Sequence, residues 1–224
     1  MTERPILFSG PMVKAILDGH KTQTRRLVKT QPPEGSRVMM STSNQQRPWS
    51  VHFGNDEGFG IVAECPYGWP GDRLWVRETW AAVPNTAGCE KYGAGFDPKR
   101  SEVEQYRAGV VFDPEGYRYR ATWEKTHGAR WRPPIHMPRK ASRILLEIVS
   151  VRVERLQEIS SADATAEGIN WNPGTAWTFS EARGLTDAYR SQFADLWDSI
   201  NSKRGLGWDT NPWVWAITFR RLTP

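Results

Sequence analysis

Six consecutive residues near the start of the chain, Lys21 to Arg26, bring one amine, two hydroxyls and two guanidinium groups together. A threonine hydroxyl is a weak nucleophile unless a base lies beside it. Lys21 can act as that base for Thr24 if burial or the charge of Arg25 lowers the pKa of its amine, because both disfavour the ammonium form. The same residues can instead bind a phosphate, with the threonine hydroxyl bonded to its own turn. The segment therefore predicts either acyl-transfer chemistry or an anion site.

Two glutamates are candidates for the acid that would complete such a site. Glu78 falls on the apolar side of a predicted strand, where a buried carboxylate needs a cationic partner such as Lys21 or Arg25. Glu167 lies in the last turn of a predicted short helix, where the helix dipole disfavours an acid, and this indicates a function for it. Simple exposure to solvent at the end of its element is the structural alternative for each.

The elements that must position these residues follow from apolar periodicity and turn residues. A two-turn helix over residues 11–18 is ended by Gly19, which accepts the left-handed backbone conformation at a helix end. A short helix within residues 159–169 is capped by Ser160 and ended by Gly168. The other predicted elements are strands at 5–8, at 73–78 and at 212–222, and a helix over 178–200 with Phe193, Trp197 and Ile200 on its apolar face. The strand at 212–222 should be buried on both faces.

One more strand is predicted over residues 142–156, with a break in its alternation. Leu146 and Ile148 share one parity, whereas Val149 and Val151 share the other. A change of parity within a strand indicates a β-bulge or a sharp bend. Few, short strands separated by long connections favour an α+β fold with a small, mostly antiparallel barrel flanked by helices. Residues 1–224 then form one domain with two irregular insertions, at about 30–60 and 81–132.

The basic charge is concentrated in one segment. Between Arg118 and Arg143 there are eight basic residues and one acid, a local charge of +7, whereas the whole chain carries +5 and the remainder therefore −2. Tyr119, Trp123 and Trp131 are interleaved with these cations. Rings that alternate with cations suit stacking on bases while holding phosphates, so a nucleic-acid partner is favoured over a solvated arginine-rich loop.

Other functional classes are less compatible with the sequence. No apolar run is long enough to span a membrane, and the first residues do not resemble a signal peptide, so we expect a cytoplasmic protein without a membrane partner. The two cysteines, Cys65 and Cys89, fit a reducing compartment. Neither they nor the four histidines show the close spacing of a zinc site, so we expect no metal and no cofactor.

Three separated segments, 16–26, 71–78 and 213–219, resemble in order the signature of ASCH-domain proteins, and most closely the longer type often carried by phages and prophages. The resemblance implies a PUA-like β-barrel. Related domains bind RNA, and small ASCH enzymes hydrolyse N4-acetylcytidine to cytidine and acetate with a lysine, a threonine and a glutamate. By motif, these resemble Lys21, Thr24 and Glu167, with Glu78 as the other possible acid.

The resemblance and the residues together give an expected function with two alternatives. The first expectation is an amidohydrolase acting on an N4-acylated cytidine, free or in a nucleic acid, with RNA favoured over DNA. The alternatives are a non-catalytic module that binds RNA or modified DNA, and a ribonuclease. His136 is either an acid–base group or a structural hydrogen-bonding residue. The expected binding residues are basic or aromatic: Arg25, Arg26, Arg73, Arg77, Trp123, Arg130, Trp131, Arg132, His136 and Arg139.

Overall fold

The structure, a computed structural model, describes residues 1–42, 50–56, 58–84, 112–122, 130–169 and 187–222. Within these ranges the chain is a mixed α+β protein with mostly antiparallel sheets. The described α-helices are α1 (Gly10–Leu17), α2 (Ser161–Ala166) and α3 (Ala188–Asn201). The described strands are β1 (Glu3–Leu7), β2 (Gln23–Leu27), β3 (Arg37–Thr42), β4 (Ser50–Asn55), β5 (Gly58–Glu64), β6 (Arg73–Arg77), β7 (Trp80–Pro84), β8 (Phe112–Tyr119), β9 (Leu145–Arg155) and β10 (Trp213–Leu222). None of the described helices is both long and apolar enough to cross a membrane.

The strands form three sheets. The largest has the order β1-β6-β9-β10-β2, and the others have the orders β3-β4-β5 and β7-β8. Strand β10 pairs antiparallel with β9 on one side and with β2 on the other. Its first five residues are all buried, as expected for a central strand covered on both faces, so the prediction for this strand is confirmed.

The chain divides into two compact units. The first unit comprises Met1–Arg4, Ala15–Leu74 and Ile144–Pro224, and the second comprises Pro5–Lys14 and Trp75–Arg143. In the first unit, the core around α3 consists of buried apolar side chains: Leu156, Ile159, Ala164, Phe193, Ala194, Trp197, Trp208 and Val214. In the second unit, Trp80, Met137 and Ala141 form a smaller buried cluster.

The predicted bulge in β9 is confirmed. The pairing of β9 with β10 shifts where Ser150 faces Thr218 and Ile148 faces Phe219, so Val149 is left out of the ladder. Its side chain is 51% exposed, whereas Ile148 is buried. An extra residue in one strand changes which face the following side chains occupy, and this explains the change of apolar parity.

The helix predictions are confirmed in position but not in every boundary. Helices α1 and α2 lie where they were expected, and Ser160 caps α2 with its hydroxyl accepting the N–H of Asp163. Of the last helix, predicted over 178–200, residues 178–186 lie outside the described ranges, and from Asp187 onward the Asp187 carboxylate caps α3, which begins at Ala188. The predicted burial of Ile200 is wrong, since its side chain is exposed.

The first predicted insertion is more regular than expected. Three antiparallel strands, β3, β4 and β5, form a sheet of their own there, and Phe53 of β4 packs edge-on against Trp213 with ring centroids 5.0 Å apart. The polar composition concealed this sheet because its strands are short and contain glycines. Of the second predicted insertion, only residues 81–84, 112–122 and 130–132 lie within the described ranges.

Candidate functional site

The end of α1 fixes the backbone of Lys21. Gly19 has a φ of 80°, in the left-handed region that stops a helix. The N–H groups of His20 and Lys21 then both donate to the carbonyl of Ala15, at 2.8 and 3.0 Å. The predicted role of Gly19 as the helix stop is therefore confirmed, and the lysine follows directly on a hydrogen-bonded turn.

The amine of Lys21 is buried against Glu167. Its Nζ donates to the Glu167 carboxylate Oε2 at 2.7 Å and to the Glu167 carbonyl at 2.6 Å. Both residues are nearly inaccessible, with exposures of 3% for Lys21 and 4% for Glu167. Glu167 is the C-cap of α2, so the lysine charge sits where the helix dipole favours a cation and offsets the unfavourable position of the acid.

Arg25 holds the other carboxylate oxygen of Glu167. Its Nη1 lies 3.3 Å from Glu167 Oε1 and also donates to Gln23 Oε1 at 2.7 Å. Its Nε donates to Glu154 Oε1 at 2.8 Å, and its guanidinium lies 5.9 Å from the centroid of the Phe193 ring. The arginine is thus buried and occupied by protein groups, which makes it an orienting residue for Glu167 rather than a free anion receptor.

The network extends to a third cation and two more acids. Arg152 donates to Glu154 at 2.6 Å and to Asp163 at 2.8 Å. Arg25 and Arg152 both face Ala216 of the central strand, and the short alanine side chain leaves room for the two guanidinium groups. Lysine and two arginines are therefore matched by three carboxylates, and the buried charges are paired, as burial requires.

Burial changes the pKa of the lysine. It lowers the pKa of Lys21 from the ordinary value of 10.5, the neighbouring charges of Arg26 and Arg25 lower it further, and the Glu167 carboxylate opposes both. The shift makes a neutral amine more accessible near neutral pH than for a solvated lysine. A lysine that can exchange its proton with a carboxylate 2.7 Å away can act in acid–base catalysis.

A second group of the network has a shifted pKa. Burial alone would raise the pKa of Asp163, but hydrogen bonds from Ser160 and Arg152 and the charge of Arg25 outweigh it and lower the pKa to about 2. The carboxylate therefore keeps its charge where α2 meets the network.

Thr24 lies on the other face of the strand. Successive side chains of a β-strand point to opposite faces, so Gln23 and Arg25 share one face of β2 and Thr24 points away from it. Thr24 is buried and pairs with Ile217 of β10. The structure thus brings Lys21 together with Glu167, but it does not place the threonine on the face where Arg25 meets Glu167.

Glu78, the alternative acid, belongs to the second unit and has a different partner. Its carboxylate accepts two hydrogen bonds from Arg143, from Nε to Oε1 at 2.9 Å and from Nη2 to Oε2 at 3.1 Å. The expectation that Lys21 or Arg25 would pair with it was wrong. The physical requirement behind that expectation holds, because Glu78 is 1% exposed and is matched by a cation.

The predicted binding residues lie in several environments. Arg26 is half-buried on β2, Arg73 lies 4.0 Å from Glu3, and Arg77 lies 4.7 Å from the ring centroid of Trp75. In the second unit the guanidinium of Arg120 lies over Trp131 and that of Arg132 over Trp80. The exposed members are Arg130, His136 and Arg139, whereas Trp123 lies outside the described residues.

Sequence reasoning counted Arg143 and Tyr119 only as members of the basic aromatic segment and did not predict their contacts, and it gave no role to Arg152 and Glu154. For the last two a signal was present. They stand two residues apart on a predicted strand, on the face opposite Val151 and Val153, where opposite charges on one face can pair. For Arg143 no local pattern indicates a partner 65 residues away.

Among the described residues, no group of three or more histidines, cysteines, aspartates or glutamates could hold a metal ion. Cys65 is a buried free thiol whose pKa burial raises to about 11, so it is a weak ligand and a weak nucleophile. Cys89 lies outside the described residues.

Comparisons of the chain with protein-family models, with curated proteins and with solved structures find no match in any of the three. The resemblance to ASCH-domain proteins therefore rests on the three sequence segments. Any function must be inferred from those segments and from the geometry of the two charged clusters.

Proposed function

We propose that this chain is an ASCH-type hydrolase with a PUA-like fold that removes the acyl group from an N4-acylated cytidine. One observation carries the proposal. The amine of Lys21, with a pKa lowered by burial, lies 2.7 Å from a carboxylate of Glu167 that Arg25 holds from its other oxygen. Such a pair can move a proton between the attacking and the leaving group.

The reaction balances with this pair alone. A water molecule adds to the acyl carbon and gives up one proton to the Lys21–Glu167 pair. The tetrahedral intermediate breaks its C–N bond, and the same proton passes to the departing N4 amine. The products are cytidine and the free carboxylic acid. A solvent-excluded pair strengthens this transfer because charges interact more strongly away from water.

The geometry favours water over Thr24 as the nucleophile. Since Thr24 points to the opposite face of β2 from Arg25, its hydroxyl does not share the environment of the Glu167 carboxylate. The proposal therefore differs from what the ASCH resemblance implies, because it gives Thr24 no chemical role.

The sheet supports the fold part of the proposal. The five-stranded sheet contains a bulge in β9, and a bulge is a device by which a strand can bend at the corner of a small barrel. Helices α2 and α3 pack in the same unit as β2, β9 and β10, as helices flanking a barrel would.

The direct test is to incubate the purified protein with N4-acetylcytidine and to measure cytidine by chromatography. We expect turnover that Lys21→Met abolishes, because the variant lacks the proton carrier while Glu167 keeps Arg25 as a partner. Lys14→Met, which removes an exposed lysine of α1, is the matched control and should retain full turnover. Thr24→Val should retain most turnover if water attacks, and should abolish it if the threonine is the nucleophile.

A second candidate function is a non-catalytic nucleic-acid-binding module. The observation that favours it is that the three cations of the network are all matched by carboxylates. Such paired charges can anchor α2 to the sheet without taking part in catalysis. If the wild-type protein yields no cytidine from free or RNA-borne N4-acetylcytidine, the hydrolase proposal fails and this candidate takes its place. A ribonuclease would instead shorten an unmodified RNA in the same assay.

A further inference from the structure

In the second unit a buried acid, Glu78, holds the side chain of Arg143 in place. Glu78 is 1% exposed, and both of its oxygens accept hydrogen bonds from Arg143. The Arg143 side chain itself is 27% exposed. Burying a carboxylate is costly, and the pair fixes the direction of a guanidinium at the surface.

A tyrosine fixes the same guanidinium from a second direction. The Cζ of Arg143 lies 4.0 Å from the ring centroid of Tyr119. The Tyr119 hydroxyl donates to the carbonyl of Ala141 at 2.9 Å, so the ring cannot swing away without losing that bond. The Arg143 guanidinium is therefore stacked on the Tyr119 ring through one face and hydrogen-bonded to Glu78 along one edge.

One nitrogen of the Arg143 guanidinium is not used by Glu78. Nε and Nη2 of Arg143 are used by Glu78, whereas Nη1 makes no hydrogen bond to any residue within the described ranges. A preoriented guanidinium with an unused N–H end is the arrangement that recognises a phosphate oxygen.

Two further arginine–aromatic pairs belong to the same part of the second unit. Trp80 of β7 faces Tyr119 of β8 in the strand register and forms a bridge with Arg132 on its other side. Neighbouring strands lie about 4.8 Å apart, so these three residues form one continuous row. The guanidinium of Arg132 lies 5.1 Å from the Trp80 ring centroid, and that of Arg120 lies 5.6 Å from the Trp131 ring centroid.

The row has the chemistry of a nucleic-acid surface. Planar guanidinium groups laid on rings offer flat cationic faces to unstacked bases, and Nη1 of Arg143 offers N–H groups to a phosphate. The exposed cations Arg130, Arg139 and Lys140 lie in the same unit and add positive charge. A duplex would hide its base faces, whereas a single strand presents both bases and phosphates.

We propose that the Arg143–Tyr119 and Arg132–Trp80 pairs form a surface that binds single-stranded nucleic acid, with Arg143 as its central phosphate contact. The Arg120–Trp131 pair lies one residue along each segment, on the other face, and is not part of this surface. The surface does not use the Lys21–Glu167 pair, so it goes beyond the hydrolase proposal and does not depend on it.

The test uses the full chain and fluorescein-labelled single strands of RNA and of DNA, each about 16 nucleotides long, in fluorescence anisotropy titrations. The same-sequence duplex and an inorganic polyphosphate serve as competitors. We expect a single strand, RNA or DNA, to bind with an affinity that falls steeply between about 50 and 200 mM salt, and to be displaced poorly by polyphosphate. Failure of both single strands to bind at the lower salt, or equal displacement by polyphosphate, overturns the proposal.

The variants separate this surface from general positive charge. Arg143→Lys keeps a cation beside Glu78 but loses the fork and the stacking, and should weaken binding several-fold, about a factor of 5. The double variant Arg130→Ala/Lys140→Ala, at two exposed cations of the second unit, should weaken it about tenfold. Its control, Arg204→Ala/Arg220→Ala, removes two exposed arginines of the first unit and should change binding less than about twofold.

The two double variants decide between this surface and general positive charge. Equal losses in the two double variants would mean charge alone, and the proposal would be wrong. A thermal unfolding curve for Arg143→Lys that matches the wild type establishes that its lost binding is local. Lys21→Met, which should abolish turnover of N4-acetylcytidine, should bind the single strands as the wild type does, which separates a failure here from a failure of the hydrolase proposal.

Discussion

The two units each bury a glutamate, but they use it in opposite ways. Glu167 in the first unit lies among cations that are themselves buried, Lys21 and Arg25. Glu78 in the second unit holds an arginine whose side chain is 27% exposed. The comparison shows that burial of the partner decides what an ion pair can do. A closed pair can exchange a proton or anchor a helix, whereas a half-open pair presents a fixed cation to a ligand.

The largest expected effect on stability lies in the network of the first unit, called the closed cluster here: Lys21, Arg25, Arg152, Glu154, Asp163 and Glu167. Glu167→Ala leaves the amine of Lys21 without its carboxylate and Arg25 with one acid fewer, and we expect the free energy of unfolding to fall by about 3–5 kcal/mol. Urea unfolding followed by tryptophan fluorescence measures it. Glu147→Ala, which removes an acid paired with the exposed Arg220, is the control and should cost less than about 1 kcal/mol. Similar losses in the two variants would mean that Lys21 and Arg25 need no buried partner.

The half-open pair of Glu78 and Arg143 should lose less stability when one partner is removed. Arg143→Met leaves Glu78 buried and unpaired, and we expect a loss of about 2–3 kcal/mol, because water can approach through the partly exposed arginine site. Replacing the acid as well, in Arg143→Met/Glu78→Gln, removes the buried charge and should recover part of the loss. Urea unfolding followed by tryptophan fluorescence measures both variants. If the double variant is no more stable than Arg143→Met, an unpaired Glu78 is not the cause.

Packing around the closed cluster gives a third, smaller effect. Gly168 has a φ of 87°, and an added Cβ would lie 3.1 Å from the Cβ atoms of both Ala15 and Lys21. Gly19 has a similar φ of 80° with nothing within 4 Å of the added atom. Gly168→Ala should therefore cost about 1–2 kcal/mol and Gly19→Ala about 1 kcal/mol, both by thermal unfolding. Equal losses would mean that the backbone conformation alone matters and that Lys21 is not tightly packed.

Much of the framework was predictable because it depends on local chemistry. Gly19 and Ser160 mark helix ends through backbone geometry and a side-chain cap, and these signals lie within four residues of their effect. The bulge at Val149 was readable from the parity of neighbouring apolar residues. Such features need no knowledge of the rest of the chain.

The pairing of charges was not predictable in the same way. Glu78 was expected on the buried side of its strand, and its need for a cation follows from burial alone. The sequence contains thirty basic residues, and only the tertiary structure selects Arg143. Thr24 illustrates the opposite error, since proximity along the chain to Lys21 concealed the alternation of a strand, which puts neighbours on opposite faces.

The smallest expected effect is a loss of stability at low pH that comes from Asp163, at the edge of the closed cluster. The pKa of Asp163 is lowered from 3.8 to about 2 in the folded protein, so between these values the unfolded chain binds more protons. Stability that Asp163 provides is therefore complete above about pH 4 and is lost as the pH falls toward 2. Because the carboxylate is partly exposed, solvent screening limits the effect to about 1 kcal/mol.

Asp163→Asn removes this titration while keeping an oxygen that can cap α2. The stability difference between wild type and variant, from urea midpoints, should shrink from about pH 5 to about pH 2.5. Asp56→Asn, at an exposed carboxylate that pairs with Arg37, is the control for removing a carboxylate charge at the surface. If the two variants behave alike, Arg25 and Arg152 do not act on Asp163 as a charged group. The closed cluster would then consist of Lys21, Arg25, Arg152, Glu154 and Glu167 without Asp163, and α2 would be attached to the sheet mainly through Glu167.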